Sequence, residues 1–353
     1  MTVPVCIPTY GAPLFKAKFK SAPEDFKVVE QLPFEFSGEG EHLYLLIEKT
    51  ERNTSDVVKA LRRCFKVVKK DIGVAGLKDR QAVTTQWFSV HTPANDAPLT
   101  RWLASDDAPP FRLIESTRHS KKLRTGAHSA NAFVVTLKEV ELLNSDKDAI
   151  DARIRQLASA GFPNYYGPQR FGHNGSNLKS AVHWLTHQER IPSLSREKRS
   201  LYLSAVRSAA FNRVLSERVK QGNWNQLRRG ELCVLNGTNS VFTPTDAEFE
   251  KTQARIDELD VHPSAPLIGK IGSSEASNEA REMDLEVLSQ DPKHSALVTA
   301  LTHLRVDASH RATRALCREL THRWIDDQTI EISVTLAPGV FFTVLLGQLH
   351  LSG

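Results

Sequence analysis

The stretch GVAGLKDRQAVTTQWFSV, Gly73 to Val90, sets one short carboxylate, Asp79, between two cations, Lys78 and Arg80. It follows a glycine-containing bend and precedes residues rich in β-branched and aromatic side chains, which read as a strand. A carboxylate at such a junction is either a solvated turn charge or a group held for chemistry, as a nucleophile or a stabiliser of developing positive charge. Lys-Asp-Arg alone favours the turn. Two neighbouring stretches weigh on the other side. KALRRCFKVVKK (Lys59–Lys70) carries six basic residues and no acidic one. RHSKKLRTGAH (Arg118–His128) carries Arg118, Lys121, Lys122 and Arg124, again without an acid. Either reads alone as a solvated surface; the two together, flanking Asp79, point to a surface for a phosphate backbone.

Other chemistries lack the residues they need. Cys6, Cys64, Cys233 and Cys317 are far apart and form no CxxC pair, so neither a zinc site nor a disulfide framework is expected. There is no P-loop, no GxGxxG, and no motif of the kind that gathers carboxylates for a metal-dependent nuclease. No apolar run approaches the ~18–20 residues that span a bilayer. The start, MTVPVCIPTYGAPLFKAKFK, lacks a basic segment followed by an apolar one, so a cytoplasmic location is expected. The net charge of +5 over 353 residues is modest, so its placement matters more than its sum.

The elements that must position Asp79 are mostly short β-like runs: FKVVE, HLYLLIEK, VTTQWFSV, FRLIEST and AFVVTLK. One helix, TSDVVKALRRCF, interrupts them, with Thr54 or Ser55 available as its N-cap. Strands mixed irregularly with helices predict an α+β fold rather than a doubly wound sheet. The character changes near Gly161, where LKSAVHWLTH and Lys198–Lys220 show helical periodicity. A polar stretch, Gly269–Ser295, reads as mobile loop or irregular helix. A last helix, HRATRALCREL, and a strand, TIEISVTL, follow it. The expected organisation is one domain from residues 1–160 and 314–353, with a largely helical insertion at 161–313. No repeat or coiled-coil seam is visible, so a monomer is expected.

Seven stretches occur in one order: PEDFKVVE (Pro23–Glu30), GEGEHLYLLIEK (Gly38–Lys49), NT (Asn53–Thr54), GLKDRQAVTTQW, RHSKKLRTGAHSANAF, NYYGPQRFG (Asn164–Gly172) and LAPGVFFT (Leu336–Thr343). Together they resemble the TruD family of tRNA pseudouridine synthases along nearly the whole chain. The patterns PEDFxVxE, GxKDxxAVTxQW and PNYxGxQRFG are the specific parts. The resemblance implies an isomerase that detaches a uridine base in tRNA, at position 13 in bacterial members, rotates it and rejoins it through C5. It implies no metal, nucleotide or redox cofactor. The fold it implies is a pseudouridine synthase core of mixed, mainly antiparallel sheet, with a family-specific domain inserted from about Gly161 to His310–Ala315.

Residue by residue, the resemblance makes Asp79 the nucleophile, attacking either the ribose C1′ or C6 of the base. A cation close by helps a carboxylate stay charged beneath a stacked base. Lys78 and Arg80 point away from Asp79 in an extended segment, so Lys20, upstream of PEDF, is the expected partner. Phe26 and Phe341 match aromatic positions held against the target nucleotide. Asn131 matches a substrate-contacting asparagine, whose amide both donates and accepts as a uracil edge requires. Phe133 shares its strand face as core or pocket floor. Lys121, Lys122 and Arg124 are candidates for backbone phosphates, Arg170 for a phosphate or for fixing the domain junction, and His42 for a structural hydrogen bond. The chain departs from the family's Arg-Glu pair with Gly347 and Gln348, and from LPAG with LAPG. The alternative to an enzyme is a tRNA-binding or folding module, which the same basic stretches would serve.

Overall fold

The computed structural model describes residues 3–93, 97–103, 111–186, 194–238, 240–270, 279–303 and 306–351. The chain divides into two compact units. The first in sequence to build a sheet comprises Leu14–Ala149, Cys317–Gly339 and Leu351–Gly353; the other comprises Met1–Pro13, Ile150–Leu316 and Val340–His350.

In the sheet unit the strands are β1 (Phe15–Phe19), β2 (Phe26–Gln31), β3 (His42–Thr50), β4 (Ile72–Val74), β5 (Val83–His91), β6 (Arg112–His119) and β7 (Ala130–Leu142). A C-terminal hairpin, Arg318–Asp326 and Thr329–Leu336, completes a nine-stranded sheet. The order runs from the hairpin through β7, β2, β5 and β3 to β6, with β1 against β7 and β4 against β5. In this sheet, among the described residues, only β2 and β5 pair in parallel; the remaining pairs are antiparallel.

β5 is buried along both faces, which is why VTTQWFSV reads as an almost continuous apolar and β-branched run. On one face, helix α1 (Thr54–Phe65) lays Val57, Leu61 and Phe65 against Leu43, Leu45, Ile47, Phe88 and Val90. Each such side chain contributes about 1.5–3 kcal/mol by leaving water. On the other face, Tyr44, Trp87, Ala75 and Leu123 form a second cluster. The N-cap of α1 is Asn53 rather than the expected Thr54 or Ser55: its backbone N–H donates to Asp56 Oδ2 at 3.1 Å and so fixes where the helix starts.

The second unit is built around the long helix Arg196–Lys220, which packs on the helices Ser176–Thr186 and Glu279–Ser289 and on the strand Val261–Leu267. That strand lies in a four-stranded sheet with Cys233–Leu235, Val241–Phe242 and Ser309–Ala312. Residues 271–278 of the expected polar loop lie outside the described residues. From Glu279 onward it enters the helices Glu279–Ser289 and Pro292–His303, which bury Ala280, Leu288, Leu297 and Leu301.

HRATRALCREL is not a helix. It is split among the strands Ser309–Ala312, Arg314–Ala315 and Arg318–Asp326, which pair with Val261–Leu267, Phe162–Pro163 and Thr329–Leu336 respectively. Its Arg, Ala and Leu favour helix locally, but three waiting strand edges override a propensity of a few tenths of a kcal/mol per residue. The boundary between units falls inside the helix Lys147–Ala160, and Val340–His350 groups with the helical unit.

Candidate active site

Asp79 lies in the connection between β4 and β5, and the backbone there is clamped from below. Gln86 Nε2 donates to Gly76 O at 3.1 Å, and Lys78 N donates to Thr54 Oγ1 at 3.1 Å. Thr54 Oγ1 in turn donates to Gln86 Oε1 at 2.9 Å. Lys49 Nζ donates to Asp79 O at 3.0 Å and to Arg52 O at 2.7 Å. Thr54, Gln86 and Lys49 are all buried, so these bonds form away from competing water.

The Asp79 side chain meets a different lysine. Lys20 Nζ donates to Asp79 Oδ2 at 2.8 Å, with the two side chains 16% and 35% exposed. Lys20 follows directly on β1 and holds a left-handed backbone, φ +58°, which costs a non-glycine residue on the order of 1 kcal/mol. Its ammonium also sits 3.9 Å above the Phe26 ring. Phe26 is buried, edge-on to Phe19 at 5.5 Å and 5.9 Å from Phe133. An aromatic face beneath a cation favours its charge, so Phe26 and Asp79 together hold the ammonium between them.

Lys78 turns inward. Its Nζ donates to Asn131 Oδ1 and lies 2.9 Å from Glu30 Oε2, the two charged side chains being only 7% and 0% exposed. Glu30 Oε1 accepts from Trp87 N at 3.2 Å. Glu30 and Asn131 are register partners across β2 and β7, and Phe133 sits two residues along on Asn131's face, opposite Val28. Three ammonium groups and two carboxylates thus converge on this end of the sheet. Burial pulls the Lys49 pKa from 10.5 to about 8, with the Asp79 charge opposing the shift and Lys78 adding to it. Burial, and next the Lys78 charge, lower the His128 pKa.

The segment bearing Lys121, Lys122 and Arg124 packs beside this connection. Gly126 N donates to Ala75 O at 2.7 Å, Leu123 N to Ser89 Oγ at 3.0 Å and Tyr44 OH to Lys121 O at 3.0 Å. Lys121 and Arg124 are exposed, Lys122 Nζ reaches Lys70 O, and Arg118 spends its guanidinium on Gly40 O and Thr92 O. The His42 ring packs 5.1 Å from that of His91, and Nδ1 has no partner among the described residues.

Phe341 and Arg170 belong to the helical unit. There the Phe341 ring lies 6.0 Å from Tyr166 and 5.8 Å from the Arg170 guanidinium, while Arg170 Nη1 donates to Ser204 Oγ at 3.0 Å. Gly167 permits this approach, since a Cβ on it would lie 3.0 Å from the Phe341 ring. Gln348 is buried, accepting from Thr9 N at 2.9 Å through Oε1 and from Arg153 at 2.9 Å through its backbone oxygen. Gly347 follows the helix Phe342–Leu346 with no crowding that a Cβ would worsen.

Sequence reasoning missed Glu30 and Lys49. Both end an apolar alternation on one strand face: Phe26, Val28, Glu30 in β2 and Leu43, Leu45, Ile47, Lys49 in β3. A charge continuing a core-facing period was the available signal. Among the described residues, no group of three or more His, Cys, Asp or Glu is placed to hold a metal ion, and no helix is long and apolar enough to cross a membrane.

The fold of the chain has a known counterpart. A Methanosarcina mazei TruD crystal structure superposes with a TM-score of 0.71, covering 98% of this chain and 96% of that one. At 18% identity that likeness speaks to the fold, which is the α+β pseudouridine synthase fold. The family model described as tRNA pseudouridine synthase D (TruD) matches residues 8–189 and 185–349. The tRNA pseudouridine synthase D of Xanthomonas campestris pv. campestris (strain 8004) is 41% identical over 355 residues, covering 98% of this chain and 94% of the relative. That of Hydrogenovibrio crunogenus is 37% identical over 340 residues, covering 96% and 94%. The chain belongs to the tRNA pseudouridine synthase D family.

Proposed function

We propose that this protein converts uridine to pseudouridine in tRNA, at position 13, with Asp79 as the nucleophile. The observation that carries the reading is a partly exposed carboxylate on a backbone clamped by Thr54, Gln86 and Lys49 and aimed by Lys20 at 2.8 Å. Such fixing keeps the reacting group from having to be ordered in the transition state.

The target uridine leaves its stack to reach Asp79. The carboxylate then adds to the ribose C1′ as the N1 bond breaks, or to C6 of the base. The detached uracil turns, C5 bonds to C1′, the link to Asp79 breaks and the C5 proton is lost to solvent while N1 gains one. Substrate and product are isomers, so the reaction consumes no oxidant, reductant or nucleotide, and no cofactor is proposed. Lys20 balances the carboxylate, with Phe26 acting through Lys20. Asn131, its oxygen taken by Lys78, offers its amide N–H to a uracil carbonyl. Phe133 floors the site. Lys121, Lys122 and Arg124, with Arg170 in the helical unit, are proposed to meet backbone phosphates, and Phe341 to contact the nucleotide. The protein is proposed to work as a cytoplasmic monomer.

The test uses tRNA transcribed without modifications and carrying uridine at position 13, incubated with wild type or Asp79→Asn and no added cofactor. A carbodiimide-dependent reverse-transcription stop at that uridine is expected with wild type and not with the variant. Both should bind tRNA with affinity that falls steeply as salt rises. Binding without product from wild type would sink the enzyme reading for this substrate and leave the binding module.

A further inference from the structure

Leu77 is 83% exposed, the most exposed large apolar side chain among the described residues. A lone surface leucine is ordinary on a mobile loop. This one is not on a slack backbone. The oxygen of Gly76, the N–H of Lys78 and the oxygen of Asp79 are each held by a buried side chain: Gln86, Thr54 and Lys49. Leu77 is therefore presented in a fixed position, one residue from each of two clamps and two from the third.

Lys78 points into the protein toward Glu30 and Asn131, whereas Leu77 is 83% exposed and the Asp79 side chain 35%. Two residues apart, Leu77 and Asp79 have Cα atoms within about 7 Å of each other by the reach of the chain. Whatever approaches the Asp79 carboxylate also meets Leu77. An RNA approaching Asp79 must give up one base from its stack, which leaves an apolar gap between that base's neighbours. Apolar side chains inserted between bases are a general means of holding such gaps open.

We propose that Leu77 is the wedge that enters the RNA stack as the target uridine leaves it, holding the nucleotide out while Asp79 meets it. This rests on the pseudouridine synthase reading above. Leu77 would touch the bases flanking the target, and its contribution is the water-to-stack transfer of its isobutyl group. Leu77→Ala should then lower kcat/KM for tRNA by about 10- to 30-fold, the factor that matches the apolar surface removed. Leu77→Met, which keeps length and apolarity, should stay within a few-fold of wild type.

The deciding readout is fluorescence from 2-aminopurine placed beside the target uridine in the tRNA, bound to protein in the Asp79→Asn background. Asp79→Asn should raise the emission as the neighbour loses its stacking partner, and Asp79→Asn with Leu77→Ala should not. The melting temperature of Leu77→Ala should match wild type, since an exposed side chain supports no core. Product from wild type and equal kcat/KM from Leu77→Ala would overturn the wedge and leave the parent reading standing. So would equal fluorescence from the single and double variants. No product from wild type would overturn both.

Discussion

Replacing Lys78 with methionine tests whether the inward lysine supports the site or merely sits near it. Its ammonium lies 2.9 Å from Glu30 Oε2 with both side chains almost fully enclosed. At an effective dielectric near 20 that separation corresponds to about 6 kcal/mol of gross attraction. The cost of dehydrating both ions offsets most of it, so the pair's net stabilisation is small. The loss on removing one partner is not small, because Glu30 is left enclosed without its cation and with Trp87 N as its hydrogen-bond donor. Lys78→Met should destabilise the sheet unit by about 3–5 kcal/mol. Replacing Glu30 with glutamine in the same chain removes the stranded carboxylate and should recover about half or more of that loss. Equilibrium urea unfolding of the full chain, followed by far-UV circular dichroism, gives the four corners of the cycle. A Lys78→Met chain within 1 kcal/mol of wild type would refute the reasoning, as would a double variant whose loss is the plain sum of the two singles.

Two further outcomes follow from the same cluster. Lys49 is protonated in the unfolded chain up to its ordinary 10.5 but in the folded chain only up to about 8. Between those values unfolding takes up a proton, so stability rises with pH there, by at most ~1.4 kcal/mol per unit. Lys49→Met lacks this term. Urea midpoints should show wild type gaining on the variant as pH climbs above 8, and parallel curves would contradict the assignment. Gly73→Ala would set a Cβ 2.2 Å from Leu123 O and 2.5 Å from Ser89 Oγ. Backbone cannot yield there without breaking the Leu123 N–Ser89 Oγ bond, so a loss of about 1–3 kcal/mol is expected, read as a lowered melting temperature.

Local pattern alone determined a good deal. The alternation in FKVVE, HLYLLIEK and AFVVTLK marks β2, β3 and β7, and the spacing of Val57, Leu61 and Phe65 marks α1, because side-chain period is a property of neighbouring residues. The change of periodicity near Gly161 and the absence of zinc or nucleotide motifs were legible for the same reason. The mix of strands and helices carried the α+β class, and the ordered family motifs gave Asp79 its expected role.

What tertiary structure decided is what happens between residues far apart in the chain. HRATRALCREL carries helix formers, yet three separate strands claim it, since unpaired strand edges cannot be read from the segment that fills them. The parallel pairing of β2 with β5 brings Glu30 beneath Trp87, and the β2–β7 register sets it opposite Asn131. Only then does Lys78 have an enclosed carboxylate to face. Lys49 and Glu30 stand near the ends of their strands, but their alternation runs on into the core, where an ion must find partners or be neutralised. Asp79 meets Lys20 across 59 residues of sequence, a pairing that the family resemblance suggested and no local rule supplies. Sequence thus determined which segment bears the carboxylate; the fold decided which charges surround it, because electrostatic contact depends on distance in space and not along the chain.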